Sequence, residues 1–132
     1  MKKILTIVSC IMVLFAISSC TKNYVAPNNT ETIYAKVPPS AWTLYTVDNK
    51  SYMAPINVPD IGSGFAQTGG LIVAISYTNG VYESIPEVYN GTSFSYTYNT
   101  GNVTLYAQSP DGGTPVKPTD TVKVKITLVA TQ

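Results

Sequence analysis

Histidine and arginine are both missing from this sequence of 132 residues, and cysteine occurs only as Cys10 and Cys20. Each absence removes a class of chemistry. Without an imidazole to relay protons near neutral pH, hydrolases built on a histidine base are excluded, and so are zinc sites made of His and Cys. Without Arg, and with eight Lys set against seven carboxylates, the chain lacks the clustered cations that displace counterions from a phosphate backbone, which excludes a nucleic-acid binder. The acids are scattered as well. Asp111, in an Asp-Gly-Gly turn, has no second acid near it before Asp120, so turn chemistry accounts for it better than a calcium site does. No metal or cofactor is implied. What remains has the length of one small domain with an ordinary apolar share, 45%, enough to build a core.

Only one long apolar run is present. Met1-Lys2-Lys3 is followed by Ile4 to Ile17, broken only by Thr6 and Ser9, and this is shorter than the ~20 residues that span a bilayer. A positive start followed by such a run reads as a secretory leader. Ile17-Ser18-Ser19-Cys20 resembles the lipobox of bacterial lipoproteins, in which the Cys is acylated and becomes the mature N-terminus. Residues 1–19 are therefore expected to be a lipoprotein signal peptide, with Cys20 lipidated, and Cys10 would be discarded. An ordinary leader with an incidental Cys20 is the other reading. Loss of Lys2 and Lys3 leaves about one net negative charge. Residues 20–41, rich in Asn, Thr and Pro, read as the lipidated Cys and a flexible tether. Alternatively Ile33, Tyr34 and Val37 add an edge strand to the domain.

The domain is expected over 42–130, organised around residues 69–80. Leu71 to Ile75 is wholly apolar between Gly69-Gly70 and Asn79-Gly80, which predicts a central strand buried on both faces, Ala74 included. Trp42–Val47 and Tyr52–Val58 read as strands joined across Asp48-Asn49-Lys50, with Pro55 restricting the second to an edge or a bulge. Pro59 to Ala66 is a connector with one helical turn starting at Pro59, Ile61 and Phe65 capping the core. Val81–Tyr89 returns to the Asn90-Gly91 turn, a strong hairpin signal. Thr92–Tyr98 places Phe94, Tyr96 and Tyr98 on one face. Val103, Leu105 and Ala107 oppose Asn102, Thr104, Tyr106 and Gln108, and Val122, Val124, Ile126 and Leu128 oppose Thr121, Lys123, Lys125 and Thr127. The two lysines on that last open face would discourage edge-to-edge pairing. Seven short strands without a strong helix predict an all-β, antiparallel β-sandwich of immunoglobulin-like outline, with a barrel as the alternative.

The order of Trp42, Val58-Pro59-Asp60-Ile61, a Gly before Leu71-Ile72-Val73, Tyr82-Glu83-Ser84-Ile85-Pro86, Gly101-Asn102-Val103-Thr104-Leu105 and Val122-Lys123-Val124-Lys125-Ile126 resembles a group of small lipoproteins of the Bacteroidota. The likeness covers about residues 42 to 129. It implies a β-sandwich and a lipid anchor, and it brings no activity and no catalytic residues to carry over. Where similar chains have a polar helical turn, this one has Gly62-Ser63-Gly64-Phe65-Ala66-Gln67-Thr68-Gly69, which weakens the expectation of a helix. Surface-exposed lipoproteins of such bacteria tend to carry acids soon after the Cys, and Thr21-Lys22-Asn23-Tyr24 has none, so an outer-membrane anchor facing the periplasm is expected. Asp120-Thr121-Val122 resembles O-glycosylation acceptor sites of that phylum, which makes Thr121 a candidate for modification.

Two functions from different classes are left open. One is a structural or accessory envelope lipoprotein, non-enzymatic, docking on another envelope protein through an exposed edge or a Tyr-rich face. The other is a small glycan-binding module that stacks sugars on exposed aromatics, with Tyr106 the ring best argued to point outward. The bland account of the ten tyrosines is that they fill the core and its rims. Glu83 and Glu87 are the least implausible catalytic pair, but on one continuous strand they would stand about 13 Å apart, outside the ~5 to 9.5 Å that glycosidases use.

Overall fold

Alternation along the strands gives each sheet one apolar and one polar face, and burial of apolar surface brings the two apolar faces together. The computed structural model describes residues 30–130; the expected leader, Cys20 and the first part of the expected tether lie outside them. The elements are β1 (Thr30–Val37), β2 (Thr43–Leu44), β3 (Ser51–Asn57), α1 (Ser63–Thr68), β4 (Gly70–Ser76), β5 (Glu83–Ser84), β6 (Glu87–Tyr89), β7 (Thr92–Asn99), β8 (Asn102–Gln108) and β9 (Val122–Val129), with a 3-10 turn at Pro39–Ala41. Strands β1-β9-β4-β5 form one sheet and β2-β3-β8-β7-β6 the other. Every pairing is antiparallel. The expected antiparallel sandwich is present. Its first strand pairs with its last, so the strand order departs from the immunoglobulin arrangement, where the first strand pairs with the second.

The central strands supply the core in the predicted alternation. On β9, Val122, Val124, Ile126 and Leu128 are buried, as are Val103, Leu105 and Ala107 on β8. Phe94 of β7 and Trp42, which lies in the crossing from β1 to β2, are each 1% exposed and meet edge to face with ring centroids 6.3 Å apart, a favoured aromatic geometry.

Four expectations change. Residues 30–37 are a full strand paired with β9 from Thr30↔Val129 to Val37↔Val122, so the edge-strand alternative for Ile33, Tyr34 and Val37 is the one observed and the sandwich begins before Trp42. Strand β4 has only one core face. Val73 and Ile75 point inward and Ile72 is 54% exposed, because in a two-layer fold each sheet keeps an outer side; Ala74 is buried, but in the outward row, paired with Lys125 and Ser84. The two interior strands of that sheet are β9 and β4, so Lys123 and Lys125 lie on an interior strand and guard no edge. The helix starts at Ser63 rather than Pro59, because the Val58–Ile61 segment is a tight turn whose Ile61 carbonyl is already taken by the Gly101 N–H at 2.8 Å.

Other local signals hold. Tyr89↔Thr92 pairing leaves Asn90-Gly91 as a two-residue hairpin, with φ +46° and +76°, the type I′ pattern. Pro55 lies beyond the reach of β2, which pairs only with Met53 and Tyr52, so its missing N–H falls where β3 is the sheet edge. Gly69 has no room for a side chain: a Cβ there would lie 2.5 Å from the Phe65 ring, which packs against the core. Two tyrosines of β7 tie the sheets together. The Tyr96 hydroxyl donates to the Leu71 carbonyl at 2.8 Å, and the Tyr98 hydroxyl to the Gly69 carbonyl at 3.4 Å.

Phe94→Ala should test the core directly. Phe94 touches both Trp42 and Tyr77, so truncation leaves a cavity that neither ring can fill. A loss of about 3–5 kcal/mol in urea unfolding is expected, against under 1 kcal/mol for a surface change such as Ser95→Ala on the same strand.

Candidate functional site

The sequence-predicted residues are scattered over the molecule. Cys20 lies outside the described residues. Tyr106 is on the outer face of the five-stranded sheet, as its alternation predicts, between Met53 and Ser95 in the register. Its ring is half-buried; Tyr45, itself half-buried, approaches it edge-on with centroids 6.0 Å apart and planes at 71°, and its hydroxyl lies 3.4 Å from that of Thr97. Asp111 behaves as a turn residue. Its carboxylate accepts bonds from the Ser109 hydroxyl and from the Gly113 N–H, and these hold it below the usual carboxylate range. No group of three or more metal-ligating side chains occurs among the described residues.

Glu83 and Glu87 correct the distance argument. They do not share one strand: the chain leaves the four-stranded sheet after Ser84 and enters the five-stranded sheet at Glu87, crossing at buried Ile85. The two carboxyls consequently face each other across the sandwich edge. Burial, then a hydrogen bond and charge from Glu83, push the Glu87 carboxyl upward, and its Oε1 is buried without a donor. The crossing thus brings the two carboxyls closer than one continuous strand would allow.

A concavity of about 520 Å³ opens where the Pro/Gly-rich loop before β9 passes the end of the sandwich. Tyr77 and Tyr89 form one wall, stacked at 4.6 Å with planes 4° apart, and Tyr77 leans on Phe94 at 6.0 Å. Asn90, Lys117, Thr119 and Asp120 supply polar groups around it. Thr121 is exposed at its rim, where a modifying enzyme could reach it. The Tyr77 hydroxyl is pushed up to about 12, first by burial and then by the charges of Asp120 and Tyr89. Sequence reasoning missed this groove, since Tyr77 and Asp120 are 43 positions apart and only the sheet crossings bring them together.

The four sheet edges differ sharply. Strands β2 and β5 are two residues long, β6 is three, and β1 is eight. A long edge presents a row of unpaired N–H and C=O groups, which two- and three-residue edges do not. The chain matches no family model, no curated protein and no solved structure. The fold and its surfaces define an all-β sandwich whose longest edge strand is β1. No helix among the described residues is long and apolar enough to cross a membrane.

The tyrosine wall predicts alkaline sensitivity. Because folding raises the Tyr77 pKa above its ordinary value near 10, the folded state holds a proton that the unfolded state has released between about pH 10 and 12. Stability from this group is therefore complete below pH 10 and is lost as pH rises toward 12. Tyr77→Phe should flatten that part of the stability–pH curve, read by urea midpoints at each pH; an unchanged slope would place the titration elsewhere.

Proposed function

We propose that the protein is a lipid-anchored, non-enzymatic docking module of the bacterial cell envelope, held at the outer membrane through Cys20 and facing the periplasm, with β1 as the edge that receives a strand from a partner protein. The observation that carries this reading is the length of β1: eight residues, paired on one side with β9 and on the other with no strand among the described residues. Strand addition uses main-chain bonds for affinity and alternate side-chain sites for specificity. Here Tyr34, 67% exposed, stands in the outward row beside that edge. Ten residues separate Cys20 from Thr30, at most ~36 Å of chain, so the open edge would lie close to the anchor, within reach of other membrane-attached proteins. The alternative, an aromatic platform for glycans built on Tyr106, is less well supported because Tyr106 and its neighbour Tyr45 are both half-buried.

Anchoring and edge pairing are tested separately. Cys20→Ala should move the protein into the soluble fraction and abolish labelling by a fatty-acid probe; continued membrane fractionation would reject the anchor. For the edge, alternate residues of β1 direct N–H and C=O away from β9. Proline placed in turn at positions 31, 32, 33 and 34 should lower the melting temperature at every second position, where a bond to β9 is lost. At the others melting should hold, while a photo-crosslink from β1 to its partner protein in intact cells disappears. A crosslinked complex that survives proline at all four positions would rule out strand addition.

A further inference from the structure

The outer face of the four-stranded sheet carries an unusual charge distribution. The register sets Tyr34 and Lys36 of β1 opposite Lys125 and Lys123 of β9 in the outward row, and Ala74 and Ser76 of β4 face the same two lysines from the other side. Three of the chain's eight Lys therefore share one face. No carboxylate stands in those outward rows. Glu31 pairs with Leu128 and Glu83 with Ile75, which places both acids in inward-facing rows. In a protein with so few charges, grouping three cations of one sign creates a positive field that attracts an anion.

The same face is concave. Tyr82, just before β5, meets the Tyr34 ring at 6.3 Å between centroids with planes 64° apart, and the Lys125 ammonium sits 4.8 Å from the centre of the Tyr82 ring. A cleft of about 300 Å³ is bounded by Tyr34, Ala35, Lys36, Tyr82 and Lys123. The Lys123 ammonium is held in place by the Asn79 side-chain oxygen. Two angled rings with two ammonium groups at the rim make a site for a molecule that is both ring-shaped and anionic.

We propose that this cleft binds a uronic-acid residue of an acidic polysaccharide, its pyranose ring against Tyr34 and Tyr82 and its carboxylate on Lys36 and Lys123. The volume is at the low end for ligand pockets, ~300 to 1,000 Å³, and suits one or two sugar rings. Tyrosine offers a flat apolar face for the C–H side of a pyranose and leaves the hydroxyls to water. Charge-assisted hydrogen bonds from ammonium to carboxylate are the strong ones. A bilayer surface is flat and cannot enter a recess, which argues against a lipid headgroup layer as the occupant. The inference does not rest on strand addition at β1, whose affinity would come from backbone groups of the edge, although Tyr34 stands beside both surfaces.

Matched probes test it on the full chain purified in detergent. Tri-galacturonate, its methyl ester and a tri-glutamate peptide are titrated while the tyrosine ring resonances are followed by NMR. The acid sugar should bind, shift the Tyr34 and Tyr82 signals and weaken as salt rises. The neutral ester should bind about tenfold more weakly or less well still, and the peptide should not shift the rings. Lys36→Gln and Lys123→Gln, both side-chain changes outside the core, should each lower affinity by about tenfold with melting unchanged. Equal binding of acid and ester, equal ring shifts with the peptide, binding that survives both lysine changes, or no binding of the acid sugar would each overturn the proposal.

Discussion

One pairing holds the four-stranded sheet together. Strand β1 bonds only to β9, and β4 bonds to β9 and to the two residues of β5, so without the last strand of the chain that sheet does not exist. The contact joins Thr30 to Val129, nearly the two ends of the described chain. Loop closure over such a span must precede any reward from the contacts it makes, which makes folding slow relative to a fold of local hairpins. The reward is large. Four side chains of β9 are almost wholly removed from water, each fully buried Val, Leu or Ile contributing about 1.5–3 kcal/mol, and they fill the space facing Val103, Leu105 and Ala107 of β8.

The five-stranded sheet depends on β8 in the same way, with β3 and β7 on either side. The two layers are then fastened at the rim. Tyr96 and Tyr98 reach from β7 to carbonyls at the start of β4, and Gly101 at the tip of the β7–β8 hairpin bonds both ways to the Val58–Ile61 turn. This is why a tyrosine-rich chain need not be an aromatic binding surface. Tyr52, Tyr77, Tyr89, Tyr96 and Tyr98 all pack against the core, and burial raises the hydroxyl pKa of Tyr96 as well as Tyr77. Among the described residues, the tyrosine rings left outside form two pairs on opposite outer faces, Tyr45 with Tyr106 and Tyr34 with Tyr82. Only the second pair is accompanied by a group of lysines.

Function in this reading follows from where the fold is unfinished. The edge strands β2, β5 and β6 are two or three residues long, while β1 is eight and leads back toward the expected anchor. The side chains of β1 and β9 that do not serve the core make the positive, ring-lined face. A strand bonded on one side only thus offers both free backbone and outward side chains, and the two surfaces meet at Tyr34.

Side-chain direction was legible in the sequence because it has a period of two and is set by each strand alone. The inward rows of β7, β8 and β9, the outward position of Tyr106, and the type I′ turn at Asn90-Gly91 followed from neighbouring residues and needed no knowledge of the rest. Two layers followed from the number of one-faced strands. Which strand lies beside which was not legible, since antiparallel pairing depends on distant partners and leaves no mark on local composition. That is why the apolar run of β4 reads as buried on both faces when one of them is outer, why the Pro-flanked segment 30–37 reads first as tether, and why Glu83 and Glu87 stand far apart on one strand in the sequence when a sheet crossing brings them together. The groove at Tyr77 and the lysine cleft at Tyr34 have the same origin. Each is assembled from segments that only packing brings together, so local sequence determined the faces and tertiary structure decided the neighbours.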